Sequence, residues 1–146
     1  MTVIRVLLAD DHEFVRDGLT DLLSATDDLT VVGACADGAE VVEAAERTRP
    51  DVVLLDYAMP VVDGLEATRR LRAVQPVARV LLLTALIPAA AVDEARRLGA
   101  AGYVLKTDDP EQLLQALHTV AAGGTAWRSD TAVRVRTPAV QVDRLR

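Results

Sequence analysis

The apolar and polar positions of the chain alternate between two rhythms from one end to the other. Residues 3–9, 29–34, 51–56, 79–84 and 102–106 are short runs dominated by Val, Leu, Ile and Ala, too short for helices of ordinary length. Such runs, apolar at successive positions, fit strands buried on both faces. Between them the apolar residues recur at helical spacing. Val15, Leu19, Leu22 and Leu23 form one stripe within residues 12–25, while Arg16, Asp17 and Asp21 fall off it. Asp37 followed by Glu40 is a capping-box pattern that predicts a helix from there to about residue 49, where Pro50 stops it. Residues 64–74 and 88–98 predict a third and a fourth helix, the fourth with a thin stripe and with Gly99 placed to end it. Asp109, Pro110 and Gln112 are an N-cap, a first-turn proline and a capping-box partner for a fifth helix. Its stripe is Leu113, Leu114, Leu117, Val120 and Ala121, and Gly123-Gly124 ends it.

Five strand–helix units in strict alternation predict a parallel sheet with right-handed crossovers and helices on both faces. The flavodoxin-like order 2-1-3-4-5 is the expected arrangement of this doubly wound α/β fold, and it makes the first and third strands neighbours at the switch point. Ligands bind beyond the carboxyl ends of strands in such sheets. The stretch DVVLLDYAMP, residues 51–60, delivers Asp56 to that edge; Asp10 and Asp11 close the first strand, Thr84 the fourth and Lys106 the fifth. Any one of these could be a simple capping residue, but five from four strand ends form a cluster. Three crowded carboxylates repel unless one is protonated or a cation is bound, and hard oxygen ligands suit Mg²⁺. A lysine and a hydroxyl opposite would complete a cradle for a phosphoryl group, with Asp56 as nucleophile.

Composition narrows this further. The chain has 146 residues, room for one domain and a short appendage, and 51% of them are apolar. A net charge of −6 argues against an electrostatic footprint for nucleic acid. The lone cysteine, Cys35, sits in an apolar run, which excludes a disulfide framework and reads as a buried bystander thiol. No stretch reaches the 18 or so uncharged apolar residues of a membrane span, and the start shows no secretory pattern, so a soluble cytoplasmic protein is expected.

LLADDHEFVRDGL, DVVLLDYAMPVVDG, VLLLTA and GAAGYVLK stand in that order along residues 1–124. Together they resemble the receiver domain of bacterial two-component response regulators, and are most similar to the subfamily whose receivers precede a LuxR-type helix-turn-helix domain. The resemblance implies that Asp56 accepts a phosphoryl group from a phosphohistidine on a sensor histidine kinase. It implies that Asp11, Asp56 and the backbone carbonyl of Ala58 bind Mg²⁺ directly, with Asp10 acting through water. It also implies that Lys106 pairs with the phosphoryl group or with Asp56, and that Thr84 bonds a phosphoryl oxygen while Tyr103 rotates to follow. The face made by the fourth helix, fifth strand and fifth helix would then change shape to control a transcriptional output. Such a protein is a regulatory domain rather than an enzyme, although it assists its own phosphotransfer and dephosphorylation. Glu13, the apolar loop Ala85-Leu86-Ile87-Pro88 and Thr107 depart from the pattern outside the cluster.

Residues 125–146 hold five arginines and two aspartates, a basic tail on an acidic domain, and read as a solvated linker with Trp127 packed back on the last helix. The stretch is too short for a helix-turn-helix domain, so contact with DNA is expected only through an effector domain that these residues do not contain. No membrane partner is expected, and a homodimer is left open. Two rivals remain: a Mg²⁺-dependent aspartyl-phosphate hydrolase, for which Ala58 leaves no general acid two residues past Asp56, and a phosphorylation-independent protein-interaction module.

Overall fold

Each apolar run becomes a strand: β1 (Ile4–Ala9), β2 (Leu29–Cys35), β3 (Val52–Asp56), β4 (Arg79–Thr84) and β5 (Gly102–Leu105). The helices between and after them are α1 (Glu13–Ser24), α2 (Val41–Thr48), α3 (Gly64–Val74), α4 (Ala89–Leu98) and α5 (Pro110–Ala121). The structure, a computed structural model, describes residues 2–128, so the expectations for the tail past Arg128 lie outside it. All strand pairs are parallel, in the order β2-β1-β3-β4-β5. This is the flavodoxin-like sheet that the alternation predicts.

The period-two pleat explains why the strands are apolar throughout. Leu7, Ala9, Val53, Leu55, Val80, Leu82 and Tyr103 face one layer, where α2, α3 and α4 contribute Val41, Ala44, Ala45, Ala67, Leu71, Ala91, Val92 and Ala95. Val6, Leu8, Val52, Leu54, Leu81, Leu83 and Val104 face the other, where they meet Leu23 of α1 and Leu113, Ala116, Leu117 and Val120 of α5. The buried Ala91 and Ala95 account for the thin stripe of α4, since Ala lets a helix lie close to the sheet. Cys35 ends β2 in the first layer; burial, and then the nearby Glu40 charge, push its thiol up to about 11. A thiol protonated at neutral pH is inert, as a bystander should be.

Local signals succeed unevenly. Asp109 and Gln112 cap α5 as expected, the Asp109 N–H donating to Gln112 Oε1 at 3.0 Å. Gly99 ends α4 in the left-handed conformation, φ 92°. At Asp37 the expected box is only half made. The Asp37 side chain accepts the Ala39 N–H at 2.8 Å, but Glu40 reaches the Ala36 N–H at 3.2 Å instead of its own cap. The chain therefore makes a 3₁₀ turn at Gly38–Glu40 before α2 begins.

His118 of α5 ties that helix to the loop before β2, its Nε2 2.7 Å from Asp28 Oδ2 and its Nδ1 2.7 Å from the Leu114 carbonyl. The Asp28 carboxylate, helped by the Leu114 carbonyl, raises the imidazole above its ordinary 6.5. A histidine raised on folding adds stability that is full below the unfolded value and lost as pH rises through the folded one. The side chain is 40% exposed, so solvent screening holds the contribution to about 0.5 kcal/mol. We expect the urea midpoint to fall as pH rises above 6.5, and His118→Gln to remove that component of the slope.

Candidate functional site

The carboxyl edge of the sheet gathers the residues singled out in the sequence. Asp10 and Asp11 follow β1, Asp56 ends β3, Thr84 ends β4 and Lys106 follows β5. Asp10, Asp56 and Thr84 are buried, at 1%, 2% and 1% exposure. Because β1 and β3 are hydrogen-bonded neighbours, Ala9 pairs with Leu55 and the next residue of each strand reaches one point. The Lys106 ammonium spans the two, 2.9 Å from Asp10 Oδ2 and 3.3 Å from Asp56 Oδ2. It is carried there by β5, whose continuation donates the Lys106 N–H to the Thr84 carbonyl at 2.7 Å.

The backbone fixes the other oxygens. Asp10 Oδ1 accepts the His12 N–H at 2.9 Å, and Asp56 Oδ1 accepts the Ala58 N–H at 3.1 Å. The loop after Asp56 is held by the Tyr57 N–H on the Leu83 carbonyl, 3.0 Å, and the Gly64 N–H on the Tyr57 carbonyl, 2.9 Å. Asp63 Oδ1 then caps α3 by accepting the Glu66 N–H at 2.9 Å.

Electrostatics divide the cluster. Burial, reinforced by the adjacent Asp10 charge, pushes Asp56 from 3.8 up to about 6 against the pull of the Ala58 N–H and Lys106. Burial works to lower Lys106, yet Asp10 and Asp56 outweigh it and leave the ammonium above the ordinary lysine value. The site is therefore a charged lysine between carboxylates, one of which is easily protonated.

Oxygen atoms with capacity to spare point to a cation. Asp11 Oδ1 is buried with the exposed His12 imidazole as its one close polar neighbour among the described residues, and Asp10, Asp11, His12 and Asp56 each present a ligand atom within 4.8 Å of the others. A buried carboxylate oxygen is costly unless something positive faces it. All-oxygen donors from three aspartates suit a hard divalent ion such as Mg²⁺. His12 escaped the sequence reading; its adjacency to Asp10-Asp11 was the available signal. Its imidazole is largely exposed, with Nδ1 3.1 Å from Asp11 Oδ1.

Both residues of the expected switch are held by local contacts in this structure. Thr84 stands at the predicted strand end, but its hydroxyl is engaged in its own loop, donating to the Leu86 carbonyl at 2.8 Å and accepting the Leu86 N–H at 3.2 Å. Tyr103 is buried at 1% exposure, with Trp127 against its ring at a centroid distance of 6.2 Å. Trp127 also takes the Arg96 guanidinium of α4 over its face, 4.6 Å from the centroid. The indole thus packs on β5 and α4, not simply back on α5 as the sequence suggested, because Ala126 pairs with Gly102 and steers it there. Of the apolar loop after Thr84, Ile87 is fully buried in the core and Leu86 is half exposed.

A five-stranded parallel sheet with an acidic pocket and one lysine at its switch point defines a flavodoxin-like α/β domain. The chain belongs to the response regulator receiver domain family, which matches residues 6–118. It is similar to the uncharacterized transcriptional regulatory protein YxjL of Bacillus subtilis, 38% identical over 90% of this chain and 61% of that protein. It is also similar in structure to a LuxR-family two-component response regulator from Aurantimonas sp., with TM-score 0.83, 36% identity, and 88% of this chain and 92% of that one covered. The receiver domain of the response regulator NarL from Mycobacterium tuberculosis gives TM-score 0.80 and 36% identity over 84% of this chain and 99% of that one. The chain spans about three-fifths of the length of the curated relatives it matches. Among the described residues no helix is long and apolar enough to cross a membrane.

Proposed function

We propose that this domain receives a phosphoryl group on Asp56 from a phosphohistidine of a sensor kinase, and that the modified form controls a transcriptional output through an effector domain. The observation that carries this reading is the Lys106 ammonium shared between buried Asp10 and Asp56. Asp11, Asp56 and the Ala58 carbonyl would hold Mg²⁺ directly, with Asp10 behind them. When bound, the ion supplies charge neutralisation for phosphoryl oxygens.

Asp56 is held with one oxygen on the Ala58 N–H, and near neutral pH most of the population is ionised. An Asp56 oxygen forms the new P–O bond as the P–N bond to the donor imidazole breaks. The electron pair of that bond leaves with the imidazole nitrogen. Lys106 balances charge on the incoming group, and the Thr84 hydroxyl must leave Leu86 to reach it. The buried walls restrict water. Nothing at Ala58 can protonate a leaving group, which favours an acceptor over a turnover hydrolase.

Acetyl phosphate with Mg²⁺ should add one phosphoryl group to the protein by intact mass, and chelation of the metal should prevent it. Steady turnover of many organic phosphates would instead make the domain a hydrolase, and no modification with no Mg²⁺ affinity would leave an interaction module.

A further inference from the structure

The four residues that follow the Gly123-Gly124 pair are laid across the face made by α4, β5 and α5. The Ala126 N–H donates to the Ala101 carbonyl at 2.7 Å, and Ala126 forms a parallel bridge with Gly102. Gly102 makes room for this: a Cβ there would lie 2.6 Å from the Ala126 carbonyl carbon. Trp127 sits between the Tyr103 ring and the Arg96 guanidinium. Arg128 pairs with Asp108 in the loop before α5, and its guanidinium lies 5.9 Å from the Tyr103 ring centre. The strap therefore bears on α4, on β5 and on the loop that leads into α5, and covers the one aromatic residue of β5.

Its position matters because of what lies next to it. Thr84 pairs with Leu105 across β4 and β5, and Leu82 with Tyr103, so the strand that carries Tyr103 is bonded to the strand that ends in Thr84. In this structure the Thr84 hydroxyl is committed to Leu86, the arrangement in which it offers nothing to a phosphoryl group. From these contacts we infer that residues 125–128 are an autoinhibitory strap that holds Tyr103, and through it Thr84, in the unmodified arrangement, so that phosphorylation of Asp56 and docking of the strap oppose each other. The inference rests on the phosphoacceptor reading of Asp56.

Reciprocity supplies the test. If the strap disfavours the modified state, loosening it must tighten binding of a phosphoryl mimic by the same factor. The probe is beryllofluoride with Mg²⁺, on the full chain. Trp127 is the only tryptophan, so its emission reports the strap directly. Saturating beryllofluoride should shift that emission in wild-type protein. Trp127→Ala and Arg128→Ala should each bind beryllofluoride at least about fivefold more tightly, as a coupling of ordinary size requires. Gly102→Ala, which crowds the strap from the sheet side and keeps the indole, should shift the emission without any ligand. Arg128→Ala removes no core atoms, so it remains informative if the tryptophan variant folds poorly. Unchanged or weaker beryllofluoride affinity in both strap variants, or wild-type emission that ignores saturating ligand, would overturn the strap. Failure of wild-type protein to bind beryllofluoride at all would instead remove the phosphoacceptor reading beneath it.

Discussion

With alanine at position 56, acetyl phosphate and Mg²⁺ should leave the protein at its unmodified mass, a complete loss rather than a slowing. The neighbouring carboxylates cannot take over. Asp10 is buried, with Oδ1 on the His12 N–H and Oδ2 against Lys106, and its backbone carbonyl is pinned by Arg16 at 2.7 Å. Asp11 follows Asp10 at the end of β1, in the position suited to a cation. The same position carries a stability prediction of opposite sign. Asp56 has a folded pKa of about 6 against 3.8 ordinarily, so the stability it contributes is full below 3.8 and lost as pH rises through 6. Above 6 the fold tolerates a charge it would rather bury neutral. Asp56→Asn, measured by urea denaturation without Mg²⁺, should therefore be more stable than wild type above pH 6 and show no such gain below 3.8. A variant that is both unreactive and more stable at neutral pH separates a functional carboxylate from a structural one.

Gly64→Ala should destabilise the domain by about 3 kcal/mol, the upper end for an overpacked site. Gly64 opens α3 directly beneath the site, and a Cβ there would stand 2.6 Å from the Asp56 carbonyl oxygen and 2.7 Å from the Tyr57 Cα. Both obstacles are backbone, so no side chain can swing away. Relief would require moving the loop that holds Asp56, and phosphorylation should slow along with the loss of stability. Gly18→Ala is the control. That glycine lies exposed within α1 with nothing near its missing Cβ, so alanine there should add up to about 1 kcal/mol from helix propensity alone. Urea midpoints of the two variants should move in opposite directions; a mild effect at Gly64 would show that the Asp56 loop yields more easily than its bonds to Leu83 and Gly64 suggest.

The sheet and most of the site were legible in the sequence for one reason. Val52 to Leu55 and Leu81 to Leu83 are apolar at every position, which only a strand covered on both faces needs, and parallel strands bring their carboxyl ends to one rim. Asp10, Asp11, Asp56 and Lys106 thus meet because of topology, and topology follows from the alternation of elements. What escaped depends on contacts that no local pattern encodes. The Thr84 hydroxyl is a rotor whose direction is set by the Leu86 backbone. The turn at Gly38 tightens because Glu40 finds the Ala36 N–H closer than its own cap. Trp127 takes its place from the pairing of its neighbour Ala126 with Gly102, twenty-four residues before Ala126 in the chain. The fifth helix was the opposite case, since Asp109 and Gln112 lie within one turn and bond each other.

An open sheet has two margins, and here they are β2 and β5. A bare margin invites strands from other molecules, and proteins commonly blunt it. Ala126 occupies part of the β5 margin, so whatever lifts residues 125–128 also uncovers backbone groups able to recruit a second chain. Variants altered there should be handled dilute, and any self-association they show should grow with concentration at that border rather than at β2.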